Sequence, residues 1–131
     1  MLIVTSIFAA FLTAIYIKLA FNVIKLRRKN KVPLGSGGIN DLEKAIRAHG
    51  NFSEYVPIGL ILLACLELNG APWWLIVLFG TTLLIGRLFH ANGINQEPES
   101  FDNRIRGMKL TFYTLIGLIV TNLGWVIFKL I

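Results

Sequence analysis

The chain holds one cysteine, Cys65, in 131 residues. A lone thiol excludes an internal disulfide and any cysteine-rich metal site, so no metal is expected. Its place in an apolar run predicts a small buried hydrophobe rather than a nucleophile. Charge is scarce too: 15% of residues are Asp, Glu, Lys or Arg, against 55% apolar. Together with a mean hydropathy of +0.67, this excludes an ordinary soluble domain and fits a small integral membrane protein. Acidic residues number only 7 against 13 Lys and Arg, for a net charge of +6. The basic segments lack zinc-finger spacing and aromatic interleaving, which removes nucleic acid as the expected partner. No Gly-Lys-Ser/Thr follows Gly35–Gly38, so the glycine run is a loop and not a phosphate cradle. No span carries the midplane carboxylate or broken-helix pair of a coupled transporter.

What the chain does have is room for about four spans of roughly 20 residues. Chemistry must then sit between helices or between subunits. Helix 1 covers the apolar stretch from Met1 to Ile24, where Lys18 snorkels or pairs within the bundle. The charge follows this stretch instead of preceding it, so it reads as a retained span and not a cleaved signal. Arg27-Arg28-Lys29-Asn30-Lys31 then forms a basic step able to meet anionic headgroups. Helix 2 runs from about Asp41 to Leu68 with Asn40 or Asp41 as cap, and Pro57 is placed to kink it. Helix 3 runs from the interfacial pair Trp73-Trp74 to about His90, with Gly80 and Gly86 permitting close approach. Its inner end carries Arg87 as a snorkelling anchor. A polar loop from Asn92 to Asn103, with Glu97, Pro98, Glu99 and Asp102, leads to Arg104-Ile105-Arg106-Gly107 and helix 4, which continues through Trp125 to Ile131. Asn122 is expected to hydrogen-bond between helices.

Orientation follows from the positive charge. Seven of the 13 basic residues lie from Lys25 to Arg47 and four from Arg87 to Lys109. That distribution puts both basic loops in the cytoplasm and both termini on the outer side. The inner ends then collect Arg27, Arg47, Arg87, His90 and Arg104 at one depth.

The most informative stretch is Arg47-Ala48-His49-Gly50-Asn51-Phe52-Ser53-Glu54-Tyr55-Val56-Pro57. On a helix, Arg47, Asn51 and Glu54 fall within about 60° of one another, with Tyr55 on the flank. A cation, an amide, a carboxylate and a phenol thus enter an apolar medium on one face. Such groups are costly there unless they pair, line a cavity or bind a polar ligand. Two readings follow from spacing alone: an internal Arg47–Glu54 pair closed by Asn51, or a pocket for a small zwitterionic or anionic molecule.

This stretch resembles the helix 2 pattern Arg-Ala-x-x-Asn-x-x-Glu-Tyr-x-Pro of the membrane-associated proteins in eicosanoid and glutathione metabolism, the MAPEG family. Gly86-Arg87-Leu88-Phe89-His90 and Arg104 support the likeness, which extends over essentially the full length and is nearest to the small bacterial members. The resemblance implies a single all-α domain over residues 1–131. It further implies a four-helix membrane bundle assembled as a homotrimer, with glutathione bound between adjacent subunits and open toward the cytoplasm; the brevity and apolar helices fit a bacterial inner membrane, with an intracellular organelle as the alternative. By carry-over, Arg47, Asn51, Glu54 and Tyr55 contact glutathione from helix 2, Arg27 from the end of helix 1, and Arg104 stabilises the thiolate. The chain departs from the family's leukotriene-forming enzyme at two helix 3 tyrosines, which are His90 and Ile94 here. A glutamine in helix 2 is His49, which points away from the Arg47/Asn51 face toward a neighbouring subunit.

The implied function is a glutathione-dependent transferase acting on a small lipophilic electrophile, with peroxidase chemistry as a variant. Arg27 and Arg47 suit carboxylates, Glu54 an ammonium, and Asn51 and Tyr55 peptide groups. Arg104 would favour the thiolate, and His90 would assist proton transfer. The alternative is a non-catalytic scaffold binding a lipid or fatty acid with the same arginines.

Overall fold

A computed structural model describes residues 1–95 and 100–131. Among them are four helices: α1 (Ile3–Asn30), α2 (Asn40–Leu68), α3 (Trp73–Asn95) and α4 (Phe101–Leu130). Each is long and apolar enough to cross a membrane. Glu97, Pro98 and Glu99, assigned to a polar loop from sequence, lie outside the described residues.

The pattern of burial shows why these segments pack as a bundle. Along α2 the buried residues are Leu42, Ala45, Ala48, Phe52, Val56, Gly59, Leu63 and Leu66. Steps of three and four residues draw one stripe down the helix. The stripe feeds two clusters. Leu12, Leu19, Phe52, Val56 and Leu83 form one, and Phe8, Leu63, Leu66, Ile76 and Leu118 form the other. The opposite faces remain apolar: Phe11, Ile17, Ile61, Leu78 and Ile116 are exposed large hydrophobics. A surface of that kind is solvated by lipid, not water. The chain is an all-α integral membrane protein with four transmembrane helices.

Several sequence expectations are adjusted. The α2 N-cap is Ile39, in extended conformation without a side-chain cap. Asn40 is already the first helical residue, because Ile39 accepts the first intrahelical bond from the Glu43 N–H at 2.9 Å. Both α3 and α4 reach further into the loop between them than expected, and Ser100 caps α4 by accepting from the Asn103 N–H at 3.3 Å. Cys65 is exposed on this chain rather than buried, since the buried stripe of α2 runs through Leu63 and Leu66 beside it. Asn122 does bond between helices: its Nδ2 donates to the Leu62 carbonyl of α2 at 3.1 Å.

Glu67 has a role that sequence left unseen. Its carboxylate accepts from the backbone N–H groups of Val4 at 2.9 Å and Thr5 at 2.8 Å. The N-cap of α1, Leu2, offers no side-chain acceptor. The end of α2 thus supplies the anion that the first turn of α1 needs.

Candidate functional site

The α3–α4 junction fixes the inner end of the bundle. A Cβ on Gly107 would collide with the backbone of His90 and lie 2.7 Å from the Gly86 carbonyl oxygen. A Cβ on Gly93 would lie 2.8 Å from the backbone nitrogen of Arg104. The two backbones are therefore in direct contact at the level of His90 and Arg104. Gly86 belongs to this contact, as its spacing suggested; Gly93 and Gly107 were not foreseen. Gly80, by contrast, lies against the ring of Phe8 on α1.

Across from this junction stands the polar face of α2. Arg47, Asn51 and Glu54 line a cleft of about 470 Å³ together with His90 of α3 and Arg104 of α4. Ile46, Ile94 and Met108 supply apolar wall. Five of the eight residues singled out from sequence thus meet in one cavity, contributed by three helices. Arg47 and Glu54 are exposed on the cleft wall, Asn51 is half-buried and His90 is buried. The Arg104 guanidinium lies 6.0 Å from the Phe101 ring centroid, above its face.

The other three are elsewhere. Arg27 donates from Nη1 to the Gly35 carbonyl at 3.0 Å, closing the loop after α1. That loop turns because Gly35, Gly37 and Gly38 all have positive φ. His49 lies against Tyr16 of α1, ring centroids 4.7 Å apart, and its Nε2 is buried without a partner. It is on the far side of α2 from Asn51, as its position in the helical repeat requires. Tyr55, expected as a ligand contact, does not line the cleft of this chain. Its ring lies beneath the Arg87 guanidinium at 5.3 Å and meets Phe112 edge-on at 5.5 Å.

Arg87 is the residue sequence reasoning misplaced. It is not a snorkelling anchor but, among the described residues, the bulkiest fully buried side chain, 1% exposed. Its Nη1 donates to Asn51 Oδ1 at 3.0 Å and approaches the Asn51 carbonyl at 3.4 Å. Asn51, which one of the two sequence readings placed in a lock with Arg47 and Glu54, is instead bonded by a different arginine from a different helix. Nε and Nη2 of Arg87 are buried and unpartnered. Gly86 beside it lets α4 approach, with Thr111 and the Gly107 carbonyl against its Cα. The i,i+3 spacing of Arg87 and His90 was the available signal, for it puts both on one face, which the structure buries.

The arrangement offers cations, a carboxylate, an amide and an imidazole around one opening, which suits a small molecule carrying both charges. The sequence profile of the MAPEG family matches residues 5–124. The chain is also 35% identical over 128 residues to the inner membrane protein YecN of Escherichia coli (strain K12), covering 98% of this chain and 96% of that protein. The same protein from Escherichia coli O6:H1 matches equally. A match over nearly every residue, on a four-helix membrane bundle, makes the chain a member of the MAPEG family.

Proposed function

We propose that the protein is a membrane-bound glutathione-dependent transferase whose site is the cleft between α2, α3 and α4. The observation that carries this reading is the meeting of Arg47, Asn51 and Glu54 with His90 and Arg104 around one cavity. Family membership gives the link to glutathione metabolism, and the chemistry of the cleft fits that tripeptide. Arg47 pairs with a carboxylate. Glu54 takes the ammonium, and Asn51, oriented by Arg87, offers its remaining donors to a peptide carbonyl. Arg104 stands beside the sulfur and favours the thiolate. The thiolate attacks an electrophilic carbon of an apolar molecule entering from the bilayer. A carbon–sulfur bond forms, and the leaving group departs with its electron pair. His90 carries the proton released from the thiol.

Arg27 and His49 belong to this site through a second copy. Both lie away from the cleft of their own chain, and a homotrimer with the pocket at the subunit boundary brings them to a neighbour's cleft. Tyr55 acts from beneath, packed under Arg87. The chain is one domain over residues 1–131, sits in a bacterial inner membrane as YecN does by name, and has basic loops in the cytoplasm with both termini outside.

Calorimetric titration of the detergent-purified oligomer with glutathione tests this reading. Saturable binding that is lost in Arg47→Ala is expected. No binding by an intact oligomer, with co-purified lipid in the cleft instead, would replace the transferase by a non-catalytic lipid-binding scaffold.

A further inference from the structure

A second cavity lies between α1 and α3, of about 470 Å³, and shares no lining residue with the cleft just described. Its walls carry Lys18, Asn22 and Lys25 from α1 and Asn92 from α3, beside the apolar side chains of Phe21 and Leu88. No carboxylate is among its described lining residues. We propose that this groove is a binding site for an anionic glycerophospholipid.

Three features of the groove point to that occupant. Lys18, Asn22 and Lys25 follow one another at i, i+4 and i+7, so they form a single line up α1. Lys18 stands seven residues, about 10 Å, deeper than Lys25 along that line. Arg27, Arg28 and Lys29 in the last turn of α1 mark the membrane surface. Lys25 therefore lies near phosphate depth, whereas Lys18 starts within the hydrocarbon and can reach the interface only by extending along its own helix. Two lysines on one line of α1, with no carboxylate among the described lining residues, favour an anion from outside the chain. Lys25 stands at the depth of a lipid phosphate.

The lower part of the groove suits the rest of the same molecule. Phe21 is an exposed large hydrophobic on α1, and Leu88 is one on α3. Between them they offer an apolar wall at the level of the lysines, and Ile15, three residues deeper than Lys18 on α1, extends it downward where an acyl chain continues from the glycerol. Asn22 and Asn92 provide amides that can donate to phosphate or ester oxygens at the rim. A soluble anion would use the lysines but leave this wall without a partner. A zwitterionic lipid would bring its own cation beside them.

The test is retention of lipid from vesicles of equal parts phosphatidylglycerol and phosphatidylcholine. The reconstituted protein is released into mild detergent and its bound lipid is weighed by native mass spectrometry. Wild type should retain phosphatidylglycerol over phosphatidylcholine by about tenfold or more. Lys18→Gln with Lys25→Gln should bring the two lipids to parity, while Lys18→Arg with Lys25→Arg should keep the preference and guard against a folding defect. Lys29→Gln with Lys31→Gln, which removes two charges of the basic step outside the groove, should lower the preference by much less than the groove pair does. Equal retention by wild type, or a preference surviving the glutamine pair, would overturn the proposal. So would an equal loss in the Lys29/Lys31 pair, or displacement of the lipid by inorganic phosphate alone.

Discussion

Arg87 of α3 donates from Nη1 to the side-chain oxygen of Asn51 on α2 at 3.0 Å. The bond ties a fully buried cation to a residue on the wall of the candidate site. Removing one partner is not equivalent to removing the other. Asn51→Ala strands Nη1 on a guanidinium whose Nε and Nη2 already lack partners, and should lower stability by about 2–3 kcal/mol. Arg87→Met replaces the buried charge by an apolar side chain of comparable length, and should change stability by less than about 1 kcal/mol or raise it. Thermal unfolding of the two variants checks the asymmetry. A larger loss in Arg87→Met would show that the guanidinium itself holds the bundle.

The same pair separates stability from binding. With Arg87→Met the Asn51 amide loses its fixed orientation, so glutathione affinity should fall about tenfold, the worth of one well-placed hydrogen bond. Calorimetry at unchanged oligomer mass measures it. Unaltered affinity would remove Arg87 from the positioning of the site.

At the outer end, Glu67→Ala removes the acceptor for the Val4 and Thr5 N–H groups of α1. A loss of about 2 kcal/mol is expected, seen as earlier unfolding, with glutathione binding at the inner end retained. Full stability in Glu67→Ala would mean that water satisfies these donors equally well.

The helical part of the fold was legible because its signals are local. Apolar stretches, the aromatic pair Trp73-Trp74 and the flanking basic residues read directly as spans. The helical repeat also gave the Arg47–Asn51–Glu54 face that lines the cleft. Arg87 and Glu67 were not legible in the same way. Their partners lie 36 and 63 residues away in sequence, and only packing reveals which group each one meets. Cys65 failed for a related reason: a position in an apolar run says that a residue is in the membrane, not whether it faces protein or lipid. His49 was read correctly as pointing off the Asn51 face, but its contact with Tyr16 needed the neighbouring helix.

Close backbone contact at Gly107 gives a further expectation. Gly107→Ala puts a methyl group against His90 and Gly86 of α3, both backbone and unable to yield. It should cost about 1–3 kcal/mol and lower conjugation activity by parting Arg104 from His90. Wild-type rates on a destabilised bundle would show that the α3–α4 spacing is not what sets the site.

The proposed sharing of the pocket between subunits has its own test in mixed oligomers. Arg27→Ala and Arg104→Ala subunits should each be inactive alone. Co-assembled, they should regain part of the wild-type rate, because some clefts then receive Arg27 and Arg104 from two different intact sources. Absence of any recovery, with mixed assembly demonstrated by mass, would place Arg27 outside its neighbour's site.

The central claim is that Arg104 holds glutathione as its thiolate in the α2–α3–α4 cleft, and the ultraviolet absorbance of the bound thiolate measures it most directly. Wild-type protein saturated with glutathione at neutral pH should show the thiolate band, and Arg104→Ala should bind glutathione without it. An undiminished band in Arg104→Ala, or none in saturated wild type, would contradict the account.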